Sequence, residues 1–257
     1  MELKGKIAVI TGAASGIGRA TALRFAQEGA AGVVVADLNA EGLKPVAEAV
    51  NGLAVPCDVS KPGDIQNLIA KARERYGRID VYFSNAGVVM RGGLEAPDDV
   101  WRKNFDIHVM AHVWAAREVV EPMIAQGGGY FLTTASAAGL LNIVESATYG
   151  VTKHATVAFS EWLSIAYGKR GLHVSCLCPQ AVMTGMYKGV GGSAGVDGAL
   201  SAEQVAGEIV DVMREETFLV LPHKSVLGYM QGKTANYDRW LGGMRKIYMK
   251  HIESQQG

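Results

Sequence analysis

The fold of this chain is decided by the stretch Lys6-Ile7-Ala8-Val9-Ile10-Thr11-Gly12-Ala13-Ala14-Ser15-Gly16-Ile17-Gly18. Residues 6–11 form a β-branched apolar run, which is typical of a buried strand. The glycines after it predict a tight turn, and residues 19–28 have a helical pattern that Gly29 ends. Because glycine lets backbone N–H groups come close to a ligand, and a helix N-terminus favours negative charge, this turn suits a diphosphate. The flanking strand and helix supply the context that dinucleotide binding requires.

The second apolar run, residues 33–37, ends in an acidic side chain, Asp37. A carboxylate about 20 residues beyond a glycine-rich turn can accept hydrogen bonds from the hydroxyl groups of a ribose. The same carboxylate would repel a 2′-phosphate, and Leu38 beside it brings no cation to offset that repulsion. We therefore predict NAD rather than NADP as the cofactor. The alternative is an ordinary aspartate that caps the next helix.

Strand and helix patterns alternate along most of the chain. Strands are expected at residues 6–11, 33–37, 53–59, 79–85, 130–135, 173–178 and 218–221, and helices at 19–28, 40–50, 61–76, 98–126 and 148–170. Such alternation predicts right-handed crossovers and a parallel sheet with helices on both faces. We therefore expect an α/β fold, a doubly wound, Rossmann-like sheet of about seven strands, in a single domain that spans residues 1–257.

Polar or small residues follow several of the expected strands. Ligands of doubly wound sheets bind beyond the carboxyl ends of the strands. The residues at those ends are Gly12, Asp37, Asp58, Asn85, Ser136 and Pro179. Their convergence predicts one ligand site along this edge of the sheet, with Asp58 and Val59 bordering the adenine.

Tyr149 and Lys153 are four residues apart in a segment whose apolar residues recur at helical spacing. Those apolar residues are Val151, Ala155, Ala158, Trp162 and Ile165, and they predict an amphipathic helix. Residues i and i+4 share a helix face, so the phenol and the ammonium can approach one pocket. A nearby cation lowers the pKa of a phenol, ordinarily about 10, by roughly 1–3 units. With the Ser136 hydroxyl opposite, this group suits proton transfer to an alcohol or carbonyl oxygen; the alternative is a surface tyrosine beside a solvated lysine.

The segment after Pro179 differs in composition from the rest of the chain. Residues at about 185–200 are rich in glycine, and we predict a mobile lid over the substrate site, with a plain flexible loop as the alternative. Ser201-Ala202-Glu203-Gln204 is a capping box that starts a helix. A C-terminal helix is expected at about 235–252, and we expect its aromatic residues to pack on the body or on another subunit rather than bind a ligand.

Composition excludes several classes of protein. Lys and Arg number 25, as do Asp and Glu, so the net charge is zero and argues against a nucleic-acid or anionic membrane partner. The sequence shows no signal peptide and no apolar run of the roughly 18–20 residues that a membrane helix needs. Its three cysteines form no disulfide framework. We therefore predict a cytoplasmic protein.

Taken together, the motifs resemble those of the short-chain dehydrogenase/reductase family. The matching elements are Thr11-Gly-Ala-Ala-Ser-Gly-Ile-Gly18, Asp37, Asp58-Val59, Asn85-Ala-Gly87, Ser136, Tyr149-x-x-x-Lys153 and Pro179 to Thr184. The resemblance implies that Tyr149 is the general acid/base and that Ser136 orients the substrate oxygen. It also implies that Lys153 lowers the pKa of Tyr149 and holds the nicotinamide ribose, and that the protein is a dimer or tetramer.

The same resemblance implies a set of cofactor-binding residues. The diphosphate would be held by Gly12, Ser15, Gly16, Ile17 and Gly18, and the adenosine ribose by Asp37 and Leu38. The adenine would be bordered by Asp58 and Val59, and the nicotinamide amide would be contacted by Val182 and Thr184. The residues expected along the rest of the cofactor are Asn85, Ala86, Gly87, Tyr149, Lys153 and Pro179.

Two residues depart from the family pattern. His108 stands where the family often has an asparagine that helps a proton relay, so it either supports a relay by other geometry or has no catalytic duty. Gln180 stands where the family has glycine and is expected to touch the substrate. His108 and His112 have the spacing of a metal pair, but no acidic third ligand is evident, so no metal is predicted.

The expected substrate walls are mostly apolar: Val88, Val89, Met90, Leu140, Asn142, Met183, Met186 and Tyr187, with Met186 and Gln180 as substrate contacts. We predict an NAD-dependent oxidoreductase that acts on a hydrophobic secondary alcohol or its ketone. The first rival is a cofactor-binding sensor with little turnover. The second is a dehydratase or isomerase that uses the same base without net redox chemistry.

Overall fold

The computed structural model describes residues 1–185 and 193–256, and the strands within them build one main sheet. In chain order the strands are β1 (Ile7–Thr11), β2 (Gly32–Asp37), β3 (Leu53–Pro56), β4 (Val81–Ser84), β5 (Gly129–Thr134), β6 (Leu172–Leu177), β7 (Val182–Met183), β8 (Leu200–Ser201) and β9 (Leu219–Val220). Seven of them form a parallel sheet in the order β3-β2-β1-β4-β5-β6-β9, while β7 pairs with β8. The order reverses between β1 and β4, which makes this a doubly wound sheet.

Helices connect the strands and cover both faces of the sheet. They are α1 (Gly16–Gln27), α2 (Ala40–Ala49), α3 (Pro62–Tyr76), α4 (Asp98–Phe105), α5 (Ala111–Ala125), α6 (Ala138–Leu141), α7 (Ala147–Tyr167), α8 (Ala202–Glu215), α9 (Ser225–Ala235) and α10 (Tyr237–Gln256). Among the described helices, none has the length and apolar character needed to cross a membrane.

Two apolar layers separate the sheet from its helices, and successive strand residues alternate between them. In β1, Ile10 belongs to the layer under α1, α2 and α8, whereas its neighbour Val9 belongs to the layer under α3, α5 and α7. Both side chains are fully buried. Strands buried on both faces appear in the sequence as continuous apolar runs, which is how they were recognised. The predicted α/β fold is confirmed.

The β1–α1 turn has a conformation that only glycine accommodates. Gly12 and Gly16 have φ values of +67° and +52°. A Cβ atom on Gly12 would lie 2.9 Å from Ala86 Cα, and one on Gly18 would lie 2.2 Å from Gly12 O. These glycines therefore let α1 begin directly against the end of the sheet, with its N-terminal amides facing the edge where ligands bind.

The predicted helix at 98–126 is continuous but not uniform. Residues Asp106–Met110, between α4 and α5, form a π-helical segment that contains His108. Such segments inside α-helices often occur at functional sites. Near the C-terminus, the helix predicted at about 235–252 corresponds to α10, and α9, which was not predicted, precedes it and ends at Asn236.

The apolar side of α7 does not face the sheet, contrary to what an amphipathic helix would suggest. Val151, Trp162 and Ile165 are 46%, 55% and 81% exposed. The buried side carries small and hydroxyl residues, apart from Lys153, Val157 and Leu163: Thr148, Gly150, Thr152, Thr156 and Ser160. Thr152 and Ser160 donate hydrogen bonds to the carbonyls four residues earlier, and the hydroxyl of Thr156 lies 2.6 Å from its acceptor, the carbonyl of His108, so these buried hydroxyls all have partners.

Candidate active site

A cavity of about 1350 Å³ opens at the carboxyl ends of the central strands. This volume exceeds the range of roughly 300–1,000 Å³ that is usual for one small ligand. Most of the predicted site residues line it: Gly12, Ser15, Gly16, Ile17, Asp37, Asn85, Ala86, Gly87, Ser136, Tyr149, Lys153, Pro179, Gln180, Val182 and Thr184. The cavity therefore has room for a dinucleotide and a substrate together.

Several predicted site residues do not line this cavity: Gly18, Leu38, Asp58, Val59 and His108. Leu38 is 74% exposed. Asp58 accepts hydrogen bonds from the amide and hydroxyl of Ser60 and pairs with Lys61, which holds its pKa below the ordinary value. Asp58 thus has a local structural role before α3, and its contact with adenine stays a prediction.

The predicted substrate walls are partly found. Val88, Val89 and Asn142 line the cavity, whereas Met90, Leu140 and Met183 do not. Met186 and Tyr187 lie outside the described residues, as do the other residues at 186–192 of the lid predicted at about 185–200. At the far end of that segment, Glu145 accepts hydrogen bonds from the amide and hydroxyl of Ser193, at 2.6 and 2.7 Å.

Tyr149 is placed by the start of its helix. The hydroxyl of Ser146, the N-cap of α7, accepts a hydrogen bond from the Tyr149 amide at 3.2 Å. This cap fixes the first turn, so that the phenol points to Ser136 at the end of β5. Burial raises the pKa of Tyr149 above its ordinary value, and the hydrogen bond with Ser136 partly offsets the rise. The direction is opposite to the predicted lowering by Lys153.

Lys153 lies deep in the site. The residue is 3% exposed, and its Nζ donates a hydrogen bond of 2.9 Å to the carbonyl of Thr134. The same Nζ is 5.6 Å from the centre of the Tyr149 ring. Burial lowers the pKa of Lys153 to about 8, because desolvation penalises the ammonium form. The lysine can therefore exchange a proton near neutral pH.

His108 is fully buried beside this pair, and both of its ring nitrogens have partners. Nε2 accepts a hydrogen bond from the Val88 amide at 3.2 Å, so Nδ1 carries the proton and donates to Thr152 Oγ1 at 3.0 Å. Burial holds the pKa of His108 well below its ordinary value, which keeps the ring neutral. The arrangement favours a histidine that orders the loop after β4 over one that carries protons. Its catalytic role stays a prediction.

His112, four residues further on, has a different partner. Its Nδ1 lies 2.6 Å from Ser84 Oγ, and burial lowers its pKa to about 3. Within residues 1–185 and 193–256, no group of three His, Cys, Asp or Glu side chains is arranged to hold a metal ion.

Asn85 ties the central strands together at the edge of the cavity. Its side-chain amide donates to the carbonyl of Thr11 at 3.0 Å, and its side-chain oxygen accepts from the hydroxyl of Thr134 at 2.9 Å. The side chain therefore links β1, β4 and β5 at the point where the strand order reverses. It makes the floor of the site rigid before any ligand binds.

Gln180 belongs to a cluster that the sequence did not indicate. The backbone N–H of Gln180 donates a hydrogen bond to Nδ1 of His223 at 3.2 Å, and the Gln180 side chain forms a hydrogen bond with Asp197. Asp197 also accepts hydrogen bonds from Ser225 and Tyr229, so it joins the end of the predicted lid to α9. Gln180 thus lines the cavity, as predicted, but it also anchors its outer wall.

The last two helices contribute a wall that sequence reasoning missed. The lining residues from this region are Tyr229, Gly232, Ala235, Asn236, Arg239, Trp240, Gly243, Met244 and Ile247. Trp240 also packs against Leu141 and Val226, whereas Tyr237 and Tyr248 are about half exposed at 54% and 48%. The three-and-four spacing on α10 was visible in the sequence, but nothing there showed that this face meets the cavity.

The residues at the sheet edge fit a dinucleotide. The positive-φ glycines of the β1–α1 turn leave a cradle without side chains at the N-terminus of α1. Asp37, at the end of β2, accepts amide hydrogen bonds from Ala14 and Asn39, which fixes its carboxylate at the cavity. A dinucleotide laid across this edge would bring its redox-active ring to the Ser136 end of the cavity, next to Tyr149 and Lys153.

Comparison with known proteins is consistent with this geometry. The sequence model of the family described as "short chain dehydrogenase" matches residues 6–193. Epidermal retinol dehydrogenase 2 of Mus musculus is 31% identical over 233 residues, which is 86% of this chain and 75% of the relative. The 1-deoxy-11-beta-hydroxypentalenate dehydrogenase of Streptomyces exfoliatus is 36% identical over 229 residues, 85% of this chain and 83% of the relative.

A solved structure shares the whole architecture. The short chain dehydrogenase/reductase of Burkholderia phymatum, in complex with NAD, superposes with a TM-score of 0.84 at 28% identity, and covers 93% of this chain and 96% of that one. The seven-stranded parallel sheet agrees with these matches. The chain is therefore a member of the short-chain dehydrogenase/reductase family.

Proposed function

We propose that this chain is an NAD-dependent dehydrogenase that oxidises a hydrophobic secondary alcohol to its ketone, or runs the reverse reaction. The observation that carries the proposal is the convergence of Ser136, Tyr149 and Lys153 on one cavity with the dinucleotide cradle. Proteins of this family are oxidoreductases that bind a nicotinamide cofactor. The named relatives are dehydrogenases, and nothing among them supports the rival sensor.

Each of the three side chains has a distinct task in this proposal. Ser136 positions the substrate oxygen by a hydrogen bond. Tyr149 exchanges the proton of that oxygen, and Lys153, buried behind it, stabilises the phenolate by its charge. A bound nicotinamide would supply the hydride acceptor. The test is an absorbance screen of secondary alcohols with NAD: steady NADH formation supports a dehydrogenase, and its absence across the screen contradicts one and favours the dehydratase or isomerase.

The preference for NAD rests on Asp37. Its carboxylate lines the cavity at the end of β2 and is held by two backbone amides, and the exposed Leu38 next to it brings no positive charge. A 2′-phosphate placed here would meet a fixed negative charge. The NAD-bound relative is consistent with this preference.

Replacing Asp37 by Asn is expected to lower the affinity for NADH about tenfold and to reduce the discrimination against NADPH. Asparagine keeps one acceptor oxygen but removes the charge that strengthens hydrogen bonds to the ribose and repels the phosphate. Fluorescence titration of both reduced cofactors measures the change. Asp99→Asn, an exposed aspartate outside the cavity, is the control. Tighter binding of NADPH than NADH by the unaltered chain would contradict the role of Asp37.

The substrate end of the cavity supports an apolar alcohol. The apolar side chains that line the same cavity as Ser136 include Val88, Val89, Leu141, Ile143 and Trp240. Burial of such surface contributes roughly 25 cal/mol for each Å² removed from water, so an apolar skeleton would supply most of the binding energy. Two relatives are named as dehydrogenases of retinol, an apolar primary alcohol, and of a hydroxypentalenate, and these names support an apolar alcohol.

We also propose that the protein is a homo-oligomer, a dimer or a tetramer, that buries the exposed face of α7. Val151, Trp162 and Ile165 form an apolar row there, and Phe105 of the neighbouring α4 is 37% exposed. Contiguous apolar patches on a protein surface commonly mark interfaces.

Ile165→Glu is expected to convert the oligomer into a smaller species, because the charge would be buried without a partner. Light scattering coupled to size-exclusion chromatography measures the mass. Leu94→Glu provides the control, since Leu94 is 99% exposed but lies in the loop after β4 rather than on α7. A monomeric parent protein, or an unchanged mass in the variant, would contradict this interface.

A cytoplasmic setting is part of the same proposal. Cys57, Cys176 and Cys178 are all free and buried. Free thiols are the usual state of cysteine in a reducing compartment.

A further inference from the structure

One face of α10 forms a long wall of the cavity that contains Ser136 and Tyr149. Its lining positions are 239, 240, 243, 244 and 247, which recur three and four residues apart and so lie on a single helix face. At a rise of about 1.5 Å per residue, positions 239 to 247 span roughly 12 Å. A ligand that lies along this wall is therefore longer than the reacting alcohol group alone.

Most of this wall is apolar, and it lies on the substrate side of the cavity. Trp240 packs in a cluster with Ala137 and Leu141, which follow Ser136 in the chain. Met244 and Ile247 continue the apolar surface along the helix. The wall is thus joined to the catalytic end of the site rather than to the Gly12 end.

Gly243 leaves open space in the middle of the wall. A Cβ atom built on Gly243 would have no atom within 4 Å, and its φ is not positive, so the backbone does not require glycine there. The same holds for Gly232 on α9, which also lines the cavity. The room beside Trp240 and Met244 can therefore be filled by a ligand.

The carboxylates that line the cavity already accept hydrogen bonds from other residues of the chain. Asp37 accepts hydrogen bonds from two backbone amides, and Glu145 accepts two hydrogen bonds from Ser193. Of the lysines and arginines that line it, Lys153 donates to the carbonyl of Thr134. In the part of the chain that the structure describes, neither carboxylate forms an ion pair with the remaining cations of the cavity.

Those remaining cations are Arg91 and Arg239, and each lines the cavity. Across residues 1–185 and 193–256, neither guanidinium has a recorded hydrogen bond or ion pair. Arg239 belongs to the same helix face as Trp240, Met244 and Ile247. A guanidinium next to an apolar wall is suited to a planar oxyanion, because it can donate two parallel hydrogen bonds to one carboxylate.

We propose that the substrate is an apolar secondary alcohol that also carries a carboxylate, and that Arg239 is the specificity-determining residue that binds this carboxylate. The inference rests on the proposed dehydrogenase function and adds a second recognition point to it. The apolar skeleton lies along Trp240, Met244 and Ile247. A single guanidinium on the wall matches the single charge of a carboxylate.

The test uses decanoate and decanamide as probes, because they share an alkyl chain and differ in charge. Isothermal titration of each into the full-length protein saturated with NADH gives the two dissociation constants. Decanoate is expected to bind at least tenfold more tightly than decanamide. Arg239→Gln is expected to abolish this difference, while Arg245→Gln, an exposed arginine of α10 outside the cavity lining, is expected to preserve it.

A second pair of variants tests the wall independently of charge. Gly243→Phe is expected to weaken both probes about tenfold by filling the open space. Gly242→Phe is the matched control, because Gly242 is the adjacent residue, its Cβ would also meet no atom, and it does not line the cavity. Circular dichroism of both variants checks that α10 still forms.

Equal affinities for the two probes, a preference that survives Arg239→Gln, or no binding of either probe would each overturn the inference. Failure of the proposed dehydrogenase activity would give a different result. The unaltered chain would then reduce no NAD with any alcohol of the screen. If only the inference fails, the unaltered chain still oxidises neutral alcohols of the screen with NAD.

Discussion

Tyr149→Phe is expected to lower kcat by about 10²–10⁴-fold, the range that positioned general acid–base groups contribute, while NADH binding stays within a factor of two. The phenylalanine ring fills the same space between Ser136 and Lys153 but has no proton to exchange. A thousandfold loss corresponds to about 4 kcal/mol of activation free energy. Stopped-flow measurement of NADH formation separates the chemical step from product release.

Tyr167→Phe is the control for that experiment. Tyr167 is the last residue of the same helix, α7, and it lies outside the cavity. It should turn over alcohols at the rate of the unaltered enzyme. A Tyr149→Phe variant that retains more than a tenth of the parent rate would refute Tyr149 as the acid/base.

Lys153→Met is expected to abolish turnover and also to change how stability depends on pH. In the folded protein the pKa of Lys153 is about 8, whereas a lysine in the unfolded chain has about 10.4. Below pH 8 the ammonium is present in both states, and the folded protein carries the full desolvation penalty. Between pH 8 and 10.4 the folded protein releases this proton first, so the penalty falls, and above 10.4 it is gone.

The free energy of unfolding of the parent protein should therefore rise relative to the Met variant as the pH increases from 7 to about 10.5. The difference between the two pKa values corresponds to a change of about 3 kcal/mol across that range. Urea unfolding of both proteins at several pH values measures it. Lys71→Met, an exposed lysine of α3, should show no such trend. A constant difference between parent and Lys153→Met would show that Lys153 keeps an ordinary pKa.

The layered fold and the cofactor edge could be predicted because each depends on local patterns. Continuous apolar strands indicate a sheet buried on both faces. The glycines at 12, 16 and 18 are needed because a Cβ atom at any of them would collide with a neighbouring atom at the β1–α1 turn. Tyr149 and Lys153 could be placed together because a four-residue spacing fixes one helix face, and Ser136 because it follows a predicted strand.

The sequence did not predict which face of α7 points outwards or the direction in which the pKa of Tyr149 is shifted. The apolar row of α7 faces outwards, because the hydroxyls of Thr152 and Thr156 find acceptors in α7 and at the His108 carbonyl and can pack inwards. The pKa of Tyr149 is raised because burial outweighs the effect of its hydrogen bond with Ser136. Both outcomes depend on how deeply each side chain is buried in the folded protein, which a periodic sequence pattern does not show.

The wall formed by α10 lies beyond residue 193, where the match to the family's sequence model ends, whereas Ser136, Tyr149 and Lys153 all lie within it. In the proposed enzyme, the proton-transfer residues thus lie within the matched region, while one wall of the cavity lies beyond it. Mutations can accumulate in the last two helices and redirect the enzyme to new molecules without rebuilding its proton-transfer apparatus. Such modularity makes the C-terminal segment the natural target for directed evolution of substrate range.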